Sequence, residues 1–92
     1  MIVISPETMA EMHAESTVCE NCCGLGPLEC HHIFARGAGG GQRLDVRINL
    51  IMLCKECHEH AQRNRIPRRT LLALAAEREI YRLRRLPKVT VL

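Results

Sequence analysis

The sequence predicts a small α+β domain that is stabilised by zinc and flanked by a helix at each end. Three observations lead to this fold class. The chain of 92 residues has one Tyr, one Phe and no Trp, so aromatic side chains cannot anchor its core. It contains two Cys-x-x-Cys pairs, and two strand-like segments are followed by a helix-like one. Chains this small usually need disulfides, a metal ion or a partner chain for stability. We expect one domain over residues 1–92.

The two Cys-x-x-Cys pairs predict a structural zinc site. Two thiolates three residues apart can bind one tetrahedral metal ion, and 31 residues separate the two pairs. No N-terminal apolar segment marks a secretory signal, so we expect a reducing cytoplasm and a metal site rather than disulfides. The predicted ligands are Cys19, Cys22, Cys54 and Cys57. Of the remaining two cysteines, Cys23 is the alternative to Cys22, and Cys30 is expected to be a small buried side chain.

Helices are predicted on both sides of the core. The N-terminal arm, residues 1–17, has Ser5 as a helix cap, Pro6 at the first helical position and Glu7 near the positive helix end. We expect this arm to serve packing or partner binding. A C-terminal helix over about residues 67–86 has an apolar stripe with basic flanks. No apolar run approaches the length that crosses a membrane.

The core is expected to span about residues 18–65. A first strand is predicted over 28–34, followed by a glycine-rich loop. A compact apolar run over 49–53 indicates a buried second strand, and a helix follows from Lys55 to Arg65. The order of elements is therefore strand, loop, strand, helix.

Three histidines give this core a chemical character. His31 and His32 are adjacent in the first strand, and His58 directly follows the second Cys-x-x-Cys pair. Neighbouring side chains on a strand point to opposite faces, so only a twisted backbone or a strand end could bring both rings to one site. Adjacent imidazoles have few structural uses and several chemical ones.

The charge is distributed unevenly along the chain. Residues 1–46 carry two Arg against five Glu and one Asp, a balance of −4, whereas residues 47–92 carry eleven Lys or Arg against four Glu, a balance of +7. A basic half is a weak sign of a polyanionic partner. Solvated helix faces explain the same pattern equally well.

Taken together, these motifs resemble the HNH endonuclease family of ββα-metal nucleases, especially its small phage-type and prophage-type members. The similarity covers about residues 18–65. It is carried by Cys19-Glu20-x-Cys22, His31-His32-Ile33, Arg36, Gly39-Gly40 and Asn49-Leu50-Ile51-x-Leu53-Cys54-x-x-Cys57-His58. The resemblance implies a ββα-metal (HNH, or His-Me finger) core that hydrolyses DNA phosphodiester bonds.

The resemblance also implies a role for each residue. His32 matches the general base, and His31 and His58 match the protein ligands of a catalytic divalent ion. Asn49 matches the residue that fixes the loop and thereby the base; in some relatives an Asn also binds metal. Two departures are notable. Gln62 stands where relatives often carry a further histidine, and His31 replaces a frequent Asp, so Mn²⁺, Ni²⁺, Co²⁺ or Zn²⁺ are candidate ions beside Mg²⁺.

The implied substrate is double-stranded DNA, contacted mainly at its phosphates by Arg36, Arg43 and arginines of the last helix. A monomer or weak dimer with one active site is expected to nick DNA with low sequence specificity. Relatives of this type often act beside the DNA-packaging terminase, which is therefore a candidate partner. The alternative is a zinc-ribbon module that binds nucleic acid or protein without chemistry. The three histidines favour the nuclease, because a binding module does not need them.

Overall fold

The protein is a mixed α+β domain in which three helices surround short strands. The computed structural model describes residues 2–34 and 43–85. A 3-10 turn at Arg47–Asn49 precedes the last strand. The remaining elements, in chain order, are β1 (Ile2–Val3), α1 (Pro6–Glu15), β2 (Leu28–His32), β3 (Arg43–Leu44), β4 (Leu50–Cys54), α2 (Lys55–Gln62) and α3 (Arg68–Arg84).

The central unit is the antiparallel pair of β2 and β4, followed immediately by α2. In the register, Leu28 lies opposite Cys54 and His32 lies opposite Leu50. β4 is a continuous apolar run because both of its faces are covered. Its Ile51 and Leu53 side chains pack in a cluster with residues of α2 and α3, and its other face packs against α1. The expected strand, strand and helix are therefore present.

The predicted N-terminal helix forms and serves packing. The Ser5 hydroxyl accepts a hydrogen bond from the Thr8 amide at 3.2 Å, and Pro6 occupies the first turn. Met12 is buried against Leu50 and Met52 of β4. Burial of this methionine gives α1 its fixed place on the back of the hairpin.

The C-terminal helix also forms. Asn64 takes a left-handed conformation, with φ of 58°, in the turn that ends α2, and α3 begins after Pro67. Leu71 and Ala75 pack into the cluster that contains Ile51 and Leu53. Leu83, which continues the apolar stripe in the sequence, is 64% exposed because the helix extends beyond the core there.

The structure differs from the sequence prediction at the ends of the strands. β2 ends at His32 rather than Phe34, because the Phe34 amide donates to the Asn49 side chain instead of a strand partner. Asn49 itself belongs to the 3-10 turn. β1 was not predicted and pairs in parallel with β3. The glycine-rich loop and the end of the C-terminal segment lie outside the described residues.

An ion-pair network joins the two terminal helices to the core. The Arg47 guanidinium donates to Glu15 of α1 at 2.6 Å and to Glu79 of α3 at 2.9 Å. From α3, Arg78 donates to both carboxylate oxygens of Glu20 at 3.0 and 2.9 Å. These contacts connect α1, α3 and the first cysteine pair. No helix in the described ranges is both long and apolar enough to cross a bilayer.

Candidate metal centre and histidine cavity

The four predicted zinc ligands come together at one point. All four Sγ atoms of Cys19, Cys22, Cys54 and Cys57 lie within 4.8 Å of one another. The Sγ atoms of Cys22 and Cys54 are 3.8 Å apart. A tetrahedral zinc with Zn–S bonds of about 2.3 Å requires sulfur atoms separated by about 3.8 Å. The donor set therefore fits a structural zinc ion, while Cys23 lies outside the cluster and is exposed.

The backbone around the first cysteine pair forms a tight turn that directs amide groups toward the sulfur atoms. Cys23 has a φ of 63°, and this turn lets the Cys19 amide donate to the Gly24 carbonyl at 3.0 Å. The Gly24 amide donates to Cys22 Sγ at 3.4 Å, and a Cβ at Gly24 would lie only 3.2 Å from that sulfur. Similarly, the Cys57 amide lies 3.5 Å from Cys54 Sγ. Hydrogen bonds of this kind favour the thiolate form that binds a metal ion.

The thiols have perturbed acidities in the absence of a metal ion. Burial raises the pKa of Cys19, but hydrogen bonds from the Cys22, Cys54 and Asn21 amides outweigh burial and bring its pKa to about 6. For Cys57, a hydrogen bond from the Asn21 side chain lowers the pKa, but burial and the neighbouring cysteine side chains outweigh this bond and raise the pKa to about 12. Because metal ions bind thiolates, loading this cluster would release protons.

The three histidines line a single cavity of about 470 Å³ beside the hairpin. Gln62 of α2 lines the same cavity. His31 and His32 lie opposite Ile51 and Leu50 of β4, which pack in different clusters, so the two histidines leave β2 on opposite faces. Both nevertheless line the cavity, at the end of the strand.

His32 is held by a buried carboxylate that the sequence analysis did not identify. Its Nε2 atom lies 2.7 Å from Oδ1 of Asp45, which is only 1% exposed. The Arg43 guanidinium holds the pKa of Asp45 far below its ordinary value, and hydrogen bonds from His32 and the Ser5 amide act in the same direction against the effect of burial. Asp45 is therefore an ionised acceptor, so His32 Nε2 carries a proton and donates it. Nδ1 is then the nitrogen with the free lone pair when the ring is neutral.

The N-terminal arm contributes to this carboxylate site. The Ser5 amide donates to Oδ2 of Asp45 at 3.0 Å, and the Asp45 amide donates to the Val3 carbonyl at 2.8 Å. The arm was expected to provide packing or partner contacts, and these bonds add a link to the histidine cavity. Asp45 is consequently fixed from both its backbone and its side chain.

His31 and His58 approach each other across the cavity. Their ring centroids are 5.1 Å apart, with the planes inclined by 71°. Burial lowers the pKa of His31 to about 4, and the neighbouring His58 and His32 act in the same direction, so its ring is neutral near pH 7. His58 Nδ1 lies 3.1 Å from a carboxylate oxygen of Glu29, which leaves Nε2 for a ligand. A carboxylate that orients a histidine in this way is common around metal sites.

Asn49 makes the contacts expected of a residue that ties a loop. Its side-chain oxygen accepts from the Phe34 amide at 2.8 Å, and its amide nitrogen donates to the Leu44 carbonyl at 2.9 Å. The Ile33 amide donates to the Asn49 carbonyl at 2.8 Å. Asn49 thus joins the chain just after His32 to the chain just before Asp45. No hydrogen bond of the Asn49 side chain reaches another side chain in the described ranges.

The two arginines predicted to contact DNA have different outcomes. Arg36 lies outside the described residues. The Arg43 guanidinium is engaged by Asp45, with Nε at 3.0 and 3.2 Å from its carboxylate oxygens and Nη2 at 3.0 Å from Oδ2. The structure thus gives Arg43 a partner inside the protein, because the buried carboxylate needs a positive charge beside it.

Sequence reasoning missed three residues around the cavity: Asp45, Glu29 and Arg68. Glu29 could have been found, because it lies two residues from His31 and therefore on the same face of β2. No local signal marks Asp45, which is 13 residues from its partner. Arg68 carries no motif, and it lines the cavity because the turn after α2 brings the start of α3 there.

Comparisons of the chain with family models, with curated proteins and with solved structures found no match. Among the described residues, the four cysteines are the one group of three or more potential metal ligands that lie close together.

Proposed function

We propose that the protein is a metal-dependent endonuclease of the HNH type that hydrolyses DNA phosphodiester bonds. The observation that carries the proposal is the 2.7 Å contact between His32 and the buried Asp45, in a cavity that His31 and His58 also line. A buried carboxylate that orients a histidine facing a cavity is the arrangement of a general base.

In this proposal His32 activates the attacking water. Asp45 fixes the proton on Nε2, so the Nδ1 lone pair is free to take a proton from water. Asp45 also stabilises the imidazolium that forms, because it stays ionised beside Arg43. Asn49 maintains the geometry by tying both chain segments that carry this pair. General-base assistance of this kind typically contributes about 10²–10⁴-fold to the rate.

His31 and His58 are the residues that would hold the catalytic divalent ion. Their donor set fits such an ion, since His31 is neutral and His58 is oriented by Glu29. A bound divalent ion would supply charge neutralisation at the phosphate and at the leaving oxygen. Two imidazole ligands leave open positions for water and substrate, and Gln62 lines the cavity where relatives often place a third histidine. The zinc site at the four cysteines is separate and structural.

The proposed substrate is double-stranded DNA, contacted chiefly at its phosphates. The domain is small and offers little surface for reading bases, so we expect low sequence specificity. One active site cuts one strand at a time, so a monomer should nick. Phage terminase is a candidate partner on the strength of the family resemblance alone.

Cleavage of a supercoiled plasmid tests the proposal. The protein is incubated with Mg²⁺, Mn²⁺, Ni²⁺, Co²⁺ or Zn²⁺ in turn, and conversion to the nicked circle is measured. His32→Ala should lower the rate about 10²–10⁴-fold while zinc content and the fold are retained. His60→Ala is the matched control, since His60 is a histidine of α2 that does not line the cavity. Full activity in His32→Ala would overturn the mechanism.

The second candidate is a zinc-stabilised binding module without catalytic activity. It is favoured by the cysteine cluster, which is complete, whereas the histidine cavity offers two ligands for a second ion. Absence of nicking by the wild-type protein with every ion, together with retained DNA binding, would support this module over the nuclease.

A further inference from the structure

A single arginine of α3 shares the cavity with the three histidines. Arg68 is the first residue of the helix, and its side chain lines the cavity together with His31, His32 and His58. Within the described ranges, no carboxylate lies at ion-pair distance from Arg68. Its charge is therefore available to a ligand, in contrast to the charges of Arg43, Arg47 and Arg78.

The guanidinium is nevertheless held in place. The Arg68 Cζ atom lies 5.0 Å from the centre of the Phe34 ring, which is within the range of a cation–π interaction. The Phe34 backbone is held on both sides, because its amide donates to Asn49 and its carbonyl accepts from the Asn49 side chain at 3.3 Å. Asn49 therefore anchors the backbone of the residue on whose ring Arg68 rests. A stacked guanidinium keeps its edge free to donate hydrogen bonds.

The described lining of the cavity carries the positive charge of Arg68 and no carboxylate, while Asp45 and Glu29 bind His32 and His58 from outside that lining. No Asp or Glu is among its described lining residues, and the polar groups there are the three imidazoles, the Arg68 guanidinium and the side chains of Gln62 and Asn64. Guanidinium donors match the geometry of phosphate oxygens and bind them with two parallel hydrogen bonds. A negatively charged ligand with several oxygens satisfies these donors better than a neutral one.

We infer that Arg68, stacked on Phe34, is the phosphate-binding residue of the histidine cavity and binds the phosphodiester group that enters it. This inference rests on the proposed function for the identity of the ligand as DNA. Arg68 binds substrate, and it takes no part in proton transfer. Asn49 acquires a second positioning role, since it anchors the backbone of Phe34, whose ring Arg68 contacts.

DNA binding tests this inference in an uncleaving His32→Ala background. Arg68→Ala should weaken duplex affinity roughly tenfold, the effect of one lost charge-assisted contact. The slope of log affinity against log salt concentration should fall by about 0.9, as expected for one phosphate contact. Arg69→Ala is the matched comparison, because it removes the same charge from the neighbouring position outside the cavity, and its loss of affinity should be smaller than that of Arg68→Ala. Phe34→Leu should give an intermediate loss, since the charge stays but its platform is gone.

Inorganic phosphate provides the second measurement. Titration with phosphate, followed by NMR of the Arg68 side-chain Nε–H, should shift that signal in a saturable way in wild type and in Arg69→Ala. Equal loss of DNA affinity in Arg68→Ala and Arg69→Ala would overturn the inference, because the effect would then be general electrostatics. If the wild-type protein cuts DNA but Arg68→Ala binds DNA as tightly as the unsubstituted protein, the inference about Arg68 is overturned. The proposed nuclease function then still stands. A protein that neither cuts nor binds DNA but shows the phosphate shift would refute the nuclease and retain the anion site.

Discussion

Replacing Asp45 by Asn tests how the buried carboxylate acts on His32. Four donors converge on its two oxygens: His32 Nε2, Arg43 Nε, Arg43 Nη2 and the Ser5 amide. An asparagine presents an NH₂ group in place of one oxygen, so at least one of these contacts becomes donor against donor. Leaving one buried donor unpaired costs about 1–3 kcal/mol of stability.

The orientation of the new amide follows from which neighbour can adapt. The Ser5 amide and the Arg43 guanidinium are donors only, whereas His32 can accept at Nε2 if its proton moves to Nδ1. The amide nitrogen should therefore face His32 and reverse its tautomer. A His32 that carries its proton on Nδ1 has no lone pair there for the attacking water. We expect cleavage to fall about 10²–10⁴-fold, the usual contribution of a general base.

The assay compares rates of plasmid nicking in Asp45→Asn, His32→Ala and the double variant, below the melting temperature of each. If Asp45 acts through His32, the double variant should be no slower than His32→Ala alone. Glu20→Gln is the matched control, since the partly buried Glu20 carboxylate is also bound by an arginine and a backbone amide, and none of these contacts involves a histidine. Losses that multiply in the double variant, or full activity in Asp45→Asn, would refute the reasoning.

Two further predictions concern the metal sites. Purified protein should contain about one zinc ion, and Cys54→Ser should unfold it or make it insoluble, because zinc binding contributes on the order of 10 kcal/mol to small zinc domains. Cys23→Ser should retain zinc and melting temperature by elemental analysis and calorimetry, and a folded, zinc-free Cys54→Ser would contradict the prediction. Glu29→Gln should weaken binding of the catalytic ion about 10–100-fold, because His58 loses the carboxylate that orients it. The measurement is the metal concentration at half-maximal nicking. The matched Glu56→Gln should leave it unchanged, and equal effects of the two substitutions would exclude orientation by Glu29.

Some features of this protein follow from the order of residues along the chain. The Ser5-Pro6 start of α1, the buried β4 and the two cysteine pairs are each encoded within a few residues. Helix caps, strand burial and ligand pairs depend on covalent spacing and on short-range periodicity. The predicted ends of β2 and β4 were less accurate, because the side chain of Asn49 competes with the strand for the Phe34 amide.

The folded chain alone decided which side chains support the three histidines. Asp45 and His32 are 13 residues apart, and Glu29 and His58 are 29 residues apart. Arg68 Cζ lies 5.0 Å from the ring of Phe34, although the two residues are far apart in the sequence. Asp45 and Arg68 carry no periodic pattern, because each is selected by a single contact in space. Spacing along the chain fixes which residues can bind a metal ion together, whereas the charge and orientation of each imidazole depend on groups that only packing brings to it.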